Sequence, residues 1–314
     1  MRVLHSFEEL HTIKQTIVYA LGTFDGIHKG HQAVIGAAVE QAKKMNAVTV
    51  VFTFDAHPLS VLAPHKQPKI ILPRRDMEEV VAALGVDYIF ELPVSQETLA
   101  IGAQDFLIDL TEGLSVAGFV MGENFSFGAK GQGTPEFLGA WAKDKDKGYF
   151  VSVQPLLLCP NGQQPISSTL IRKAVEAGDF EEVQSMLGRP FSFSGTVIKG
   201  DQRGRTLGFP TLNLLIPEGL VTPPDGVYAN RVRIGQTWYG GVGNVGDNPT
   251  FTNQYHRCEV HVFDFDQDVY GQDVKVEFIA YIRGEVKFSN LDQLIEQMDK
   301  DQDQARQILA GLTR

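Results

Sequence analysis

The sequence predicts an α/β doubly wound parallel sheet followed by a small antiparallel β-barrel domain with a C-terminal helix. Three observations carry this expectation. At 314 residues the chain is longer than one typical domain. Its first half alternates short apolar runs with segments of helical periodicity, the pattern of a parallel sheet with crossover helices. Past residue 190 the texture becomes alternating and turn-rich, as in a barrel. The boundary is placed at Leu187, giving segments 1–187 and 188–314.

In order along the chain, Ile17–Leu21 reads as a buried strand, and His31–Asn46 as a helix with Val34, Ile35, Ala38, Val39, Ala42 and Met45 at helical spacing. Ala47–Phe54 is a second apolar strand. Arg74–Leu84 is a helix ended by Gly85, and Tyr88–Glu91 a short strand. Gln104–Leu114 is helical and Gly118–Gly122 a strand. Thr134 followed by Pro135 marks a helix start that Gly148 closes, and Tyr149–Gln154 is the fifth strand. Helices Ser168–Ala177 and Phe180–Leu187 end at Gly178 and Gly188. Five strands are then expected at Phe191–Ile198, Val227–Ile234, Trp238–Val245, Cys258–Phe265 and Val274–Ile282. The last stretch, Leu291–Leu312, is an amphipathic helix with Leu291, Leu294, Ile295, Met298, Ile308 and Leu309 facing in.

Composition narrows the function classes. A formal net charge of −10 argues against a partner that is nucleic acid or an anionic membrane, which would want a basic face. Cys159 and Cys258 are far apart and form no paired metal motif, so they read as two thiols in a reducing cytoplasm. Glu8, Glu9, His11 and Lys14 interrupt any apolar leader, and no apolar run approaches the ~20 residues of a membrane span, so no membrane association is expected.

The chemistry concentrates in Gly22-Thr23-Phe24-Asp25-Gly26-Ile27-His28-Lys29-Gly30-His31, which leaves the first strand and opens the first helix. Glycines let the backbone approach a ligand, and a helix start offers free N–H groups to phosphate. His28 and His31 lie three residues apart, so both rings are able to face one anion and to stabilise charge on an α-phosphate. A glycine turn with two surface histidines is the plain alternative. The loop is neither a Walker loop, for want of Gly-Lys-Ser/Thr, nor a G-x-G-x-x-G fingerprint. A second candidate anion site is Ser167-Ser168-Thr169-Leu170-Ile171-Arg172, where hydroxyls cap a helix and Arg172 follows Thr169 by three residues; an ordinary capped helix explains it equally.

These two motifs together resemble the nucleotidylyltransferase superfamily, with its Rossmann-like sheet. Thr53-Phe54-Asp55-Ala56-His57-Pro58 and Gly122-Glu123-Asn124-Phe125-Ser126-Phe127-Gly128 are similar to the FMN adenylyltransferase module of bifunctional riboflavin kinase/FAD synthetases. The resemblance implies that Gly22, Thr23, Phe24, His28, His31, Ser168, Thr169 and Arg172 hold ATP. It further implies that Asn124 lies near the transferring phosphate, and that His57, Pro58 and Phe127 line a flavin pocket. Without it, Phe125 and Phe127 read as core aromatics.

In the second segment, Arg203 to Asn213 mixes glycines, basic residues and hydroxyls, suited to phosphate and Mg²⁺; a polar hairpin on a barrel rim fits as well. Thr211 and Asn213 would share one strand face, as would Glu259 and His261. Glu259 is placed to accept a proton during phosphoryl transfer, although alternating polar residues are common on half-exposed strands. Gly208-Phe209-Pro210-Thr211-Leu212-Asn213, Gly243-Asn244-Val245-Gly246, Glu259-Val260-His261 and Tyr270-Gly271 resemble the riboflavin kinase module, a six-stranded barrel. That resemblance implies ATP at Gly208, Phe209 and Pro210, Mg²⁺ at Thr211 and Asn213, and Glu259 as base on the ribityl 5′-hydroxyl. Riboflavin, FMN, FAD and ATP/ADP are the ligands it implies, with ATP as co-substrate of both steps.

Overall fold

A computed structural model describes residues 1–144, 148–200, 209–247 and 256–313. The chain packs as two compact units, one of Met1–Pro68 with Met77–Ser167, the other of Lys69–Asp76 with Ser168–Arg314.

The first unit is built on six parallel strands: β1 (Arg2–Leu4), β2 (Ile17–Leu21), β3 (Val48–Phe54), β4 (Tyr88–Leu92), β5 (Val116–Gly122) and β6 (Phe150–Gln154). Their spatial order is β1-β4-β3-β2-β5-β6. Every residue of β2 is buried, as expected of a central strand covered on both faces. The helix Lys29–Lys44 lays Val34, Ile35, Ala38, Val39 and Ala42 on the sheet. Thr134 caps Pro135–Asp144 by accepting from the Phe137 N–H at 3.3 Å.

Two expectations need correction here. The edge strand β1 was not foreseen; at three residues it is too short for a period, and it exists through parallel pairing of Arg2–Leu4 with Tyr88–Phe90. The helix expected over Gln104–Leu114 is Ala103–Asp109, because the chain then turns through Thr111, whose hydroxyl donates back to the Leu107 carbonyl, and Gly113 at φ 71°.

The second unit opens on helices Ser168–Ala177 and Phe180–Leu187, the latter capped by the Asp179 carboxylate and ended by left-handed Gly188. Six strands follow among the described residues: β7 (Phe191–Thr196), β8 (Leu212–Leu215), β9 (Gly226–Ile234), β10 (Thr237–Asp247), β11 (His256–Val262) and β12 (Asp273–Arg283). All pair antiparallel, in the order β7-β12-β9-β10-β11-β8. The Ile198 N–H donates to the Asn213 carbonyl at 2.9 Å, joining the two sheet ends and nearly closing the barrel. β8 lies in the segment where Thr211 and Asn213 were read as sharing a strand face, although its four residues are too few to show alternation. The final helix, Leu291–Ala310, is capped by Asn290 and buries Asp301 and Ala305. Leu291, expected inward, is 53% exposed, because it sits in the first turn beyond the packed stripe. No helix among the described residues is long and apolar enough to cross a membrane.

Candidate functional sites

In the first unit β2 lies between β3 and β5, so the direction of winding reverses at β2. Ligands of open α/β sheets bind at the carboxyl ends of the strands flanking such a reversal. Two of the singled-out loops start there: Gly22–His31 after β2, and Gly122–Gly128 after β5.

The β2 loop is held tightly. The Gly22 N–H donates to the Phe52 carbonyl at 3.3 Å, and the Thr53 hydroxyl to the Thr23 carbonyl at 3.2 Å. Phe24 and Ile27 adopt φ of 43° and 42°, unusual for side chains of their size. A Cβ at Gly22 would stand 2.6 Å from the Phe24 ring, which explains the glycine. His28 is the N-cap of Lys29–Lys44, and its Nδ1 accepts from the His31 N–H at 3.3 Å. Its ring proton therefore sits on Nε2 when the ring is neutral. The His28 and His31 rings stack at 3.6 Å, and Phe24 meets His31 edge-on at 5.3 Å. Burial, and then the His28 ring beside it, hold His31 well below the ordinary histidine range, so it is neutral at pH 7. Its Nδ1 is buried and has no partner among the described residues. The outcome is two stacked imidazoles at a helix start, His31 among them held neutral, a donor set for an anion.

The other candidates of this unit are placed as follows. Asn124 is exposed, its Oδ1 3.5 Å from where a Gly122 Cβ would stand. His57 is half-buried and accepts at Nδ1 from the Leu59 N–H, with Pro58 opening the short helix Leu59–Leu62. Phe127 is 5% exposed, in the core between Phe106 at 5.5 Å and Phe137 at 6.2 Å. Ser168, Thr169 and Arg172 lie in the second unit on Ser168–Ala177, where the Arg172 Nε donates to the Lys69 carbonyl.

In the barrel, Thr211 lines two cavities. One, of about 360 Å³, is also lined by Gly200, Asn213, Asp268 and Tyr270. The other, of about 720 Å³, takes in Phe209, Glu259, His261, Arg283 and Met298. Pro210 lines the smaller cavity, and its carbonyl meets the His261 Nδ1 at 2.9 Å. Gly208 lies outside the described residues. Glu259 pairs directly with Asn213 on one side and Asn244 on the other, so its carboxylate shares a sheet face with two amides. Asn213 is 5% exposed, and its Oδ1 is buried without a partner among the described residues. Its Nδ2 donates to the Thr211 hydroxyl at 3.4 Å, and a Cβ at Gly200 would stand 2.5 Å from its Oδ1. A buried amide oxygen beside a hydroxyl is the oxygen pair a hard cation takes from a protein when phosphates supply other ligands.

Two residues of the larger cavity escaped sequence reading. Arg283 and Asp301 both line it and form a bidentate pair, with Nη2 to Oδ2 at 2.6 Å. The available signal was Asp301 on the same helix stripe as Leu294 and Met298, an acid on an inward face.

A sheet with an anion-binding helix start at its reversal point, joined to a barrel in which Thr211 lines two cavities and the Glu259 carboxylate one of them, defines a nucleotide-dependent transferase of two modules. The family model for FAD synthetase matches residues 10–170, and that for riboflavin kinase residues 187–309. A Listeria monocytogenes bifunctional riboflavin kinase/FMN adenylyltransferase is 37% identical, with 94% of this chain and 93% of that one covered. The Bacillus subtilis protein of the same name is 36% identical over the full length of both. A solved Streptococcus pneumoniae structure described as a macrolide-efflux protein superposes with a TM-score of 0.85 at 34% identity, covering 97% of this chain and 98% of its own. The chain belongs to the bifunctional riboflavin kinase/FMN adenylyltransferase family.

Proposed function

We propose that residues 188–314 transfer the γ-phosphate of ATP to riboflavin, and that residues 1–187 then join AMP to the resulting FMN. The chain so converts riboflavin and ATP to FMN and ADP, and FMN and ATP to FAD and pyrophosphate. The observation that carries the kinase assignment is Thr211 on the wall between two cavities, with Asn213 and Glu259 paired beside it. ATP occupies the smaller cavity and the flavin the larger. Glu259 takes the proton of the ribityl 5′-hydroxyl as its oxygen attacks the γ-phosphorus and the bond to ADP breaks. Thr211 and Asn213 would hold Mg²⁺, which offsets phosphate charge as it develops.

In the sheet, a phosphate oxygen of FMN is already an anion, so its attack on the α-phosphorus of ATP needs no base. The work left to the protein is orientation and stabilisation of the non-bridging oxygens. His28 and His31 donate to those oxygens, aided by the backbone of Gly22, Thr23 and Phe24 and by Asn124; His57, Pro58 and Phe127 form the flavin side. Ser168, Thr169 and Arg172 are assigned to the departing pyrophosphate on their motif alone. The reactions take place in the cytoplasm, in keeping with two buried free thiols.

Chromatography of products from riboflavin, ATP and Mg²⁺ tests both halves. Glu259→Gln is expected to lower FMN formation at least ~100-fold while FMN is still converted to FAD. His28→Ala is expected to lower FAD formation by ~100-fold and leave FMN accumulating. Normal FMN production by Glu259→Gln would remove the base from the scheme.

A further inference from the structure

The chain enters β8 through a segment that the sheet itself does not hold. β8 and β11 pair from Leu215 opposite Arg257 to Leu212 opposite Val260. In an antiparallel ladder, alternate pairs exchange hydrogen bonds. The Ile216 N–H donates to the His256 carbonyl at 3.1 Å, which puts Leu214 with Cys258, and Leu212 with Val260, on bonded positions. The next bonded position in this register falls on Pro210 opposite Val262, and proline has no N–H to give. The strand accordingly begins at Leu212. The His261 side chain takes over where the ladder stops, its Nδ1 standing 2.9 Å from the Pro210 carbonyl. A carbonyl only accepts, so the proton of this bond is on Nδ1. The ring is fixed in turn by Phe209, 9% exposed, which meets it edge-on at 5.5 Å, and by Phe263 at 6.1 Å. Thr211 follows Pro210 directly, lines both cavities and accepts from the Asn213 Nδ2.

We propose that His261 is a positioning residue of the kinase step. Through the Pro210 carbonyl it sets the Thr211 hydroxyl, and with it the Asn213 amide, at the wall assigned to Mg²⁺ and the ATP phosphates. His261 lies two residues from Glu259 on β11, so the same strand carries the base and the tether of the oxygen pair. The spacing between the two is thereby fixed by one rigid element rather than by the loop that precedes Pro210. This inference rests on Thr211 and Asn213 being the nucleotide side of the proposed function.

The test compares the full chain with His261→Asn, His261→Gln and His261→Phe, and runs Thr211→Val alongside. Asparagine places an N–H near the position of Nδ1, glutamine places one near Nε2, and phenylalanine keeps the ring packing without a donor. Nitrogen NMR of the histidine rings, recorded above neutral pH and before any ligand is added, is expected to show His261 as the Nδ1–H tautomer. The Nε2–H tautomer overturns the proposal. In riboflavin phosphorylation, His261→Phe and His261→Gln are expected to raise the KM for ATP and the Mg²⁺ concentration for half-maximal rate by ~10-fold, with His261→Asn within ~3-fold of wild type. The riboflavin KM should move far less, and FMN adenylylation should stay at the wild-type rate. Rescue by glutamine rather than asparagine would show the ring acting on a ligand through Nε2. Wild-type behaviour of His261→Phe, or an equal loss in all three variants, would show that the Nδ1 bond positions nothing. Each of these outcomes overturns the inference. If Thr211→Val forms FMN with an unchanged KM for ATP, the placing of the nucleotide falls instead, and that result is separate from the others.

Discussion

At the scale of the residue, the best-defined chemistry is the His28–His31 pair. Sequence spacing indicated that both rings would face one anion; it did not indicate that they stack, or that His31 is held neutral. Burial and the stacked His28 ring hold His31 neutral, and Phe24, at a positive φ, meets it edge-on. The lowered pKa of His31 has a consequence for stability. Its folded value lies below the ordinary 6.5, so between the two values the unfolded chain binds more protons than the folded one. The contribution is complete above about pH 6.5 and is lost progressively as pH falls toward the folded value. Urea denaturation at pH 7.5 and 5.5 should show a wild-type loss that His31→Gln lacks in part, since glutamine does not titrate there. Equal losses in the two proteins would show that His31 is not buried in the way the stacking requires.

At the scale of the element, the long buried strands and the amphipathic helices were legible because their periods repeat. The short pieces were not. β1 and β8 are too brief for a pattern, and each exists through pairing with a strand far away in sequence. The loop after β5 is a mixed case. Two glycines there serve the core. A Cβ at Gly133 would lie 2.4 Å from the Phe127 ring, and one at Gly128, where φ is 71°, would lie 2.6 Å from the backbone of Ala103. Backbone offers little room to yield. Gly128→Ala is therefore expected to destabilise the first unit by about 2–4 kcal/mol, combining overpacking with an unfavourable dihedral. Thermal unfolding followed by aromatic circular dichroism would measure it; a loss under about 0.5 kcal/mol, the level of an ordinary surface change, would mean the loop re-forms around the methyl group. Since Phe127 is packed among Phe106, Phe125 and Phe137, the same substitution should weaken FAD formation through displacement of that ring.

At the scale of the whole molecule, two-part organisation was visible in the change of texture near residue 190. What sequence could not disclose is that Lys69–Asp76, early in the chain, packs with the barrel. Ile70 forms a bridge with Leu220, with N–H donation from Ile70 to Gly219 and from Val221 to Ile70, each at 2.8 Å. Asp76, almost fully buried, accepts from the Ser194 N–H at 2.9 Å and from its hydroxyl, with the Lys275 ammonium at 3.7 Å. Its separation from Ser194, 118 residues, is beyond any local pattern. Arg75 extends the clip by pairing at 2.9 Å with Asp273, whose carboxylate also accepts from Thr196 at the end of β7. Burial lowers Arg189 to about 10 and the Asp76 charge partly restores it, so one carboxylate supports two buried cations. Removing a buried charge from such a set costs about 3–5 kcal/mol, since it takes away the compensating charge of buried cations. Asp76→Ala in the full chain is therefore expected to lower the unfolding temperature of the second unit by roughly 10 °C or more. Riboflavin phosphorylation should be inactivated at that lower temperature, although residue 76 precedes the riboflavin kinase match by more than a hundred positions. The loss should be larger than for Arg75→Ala, whose ion pair with Asp273 is exposed to solvent and screened by it. Equal and small shifts in the two variants would mean that the barrel holds its cations without this clip.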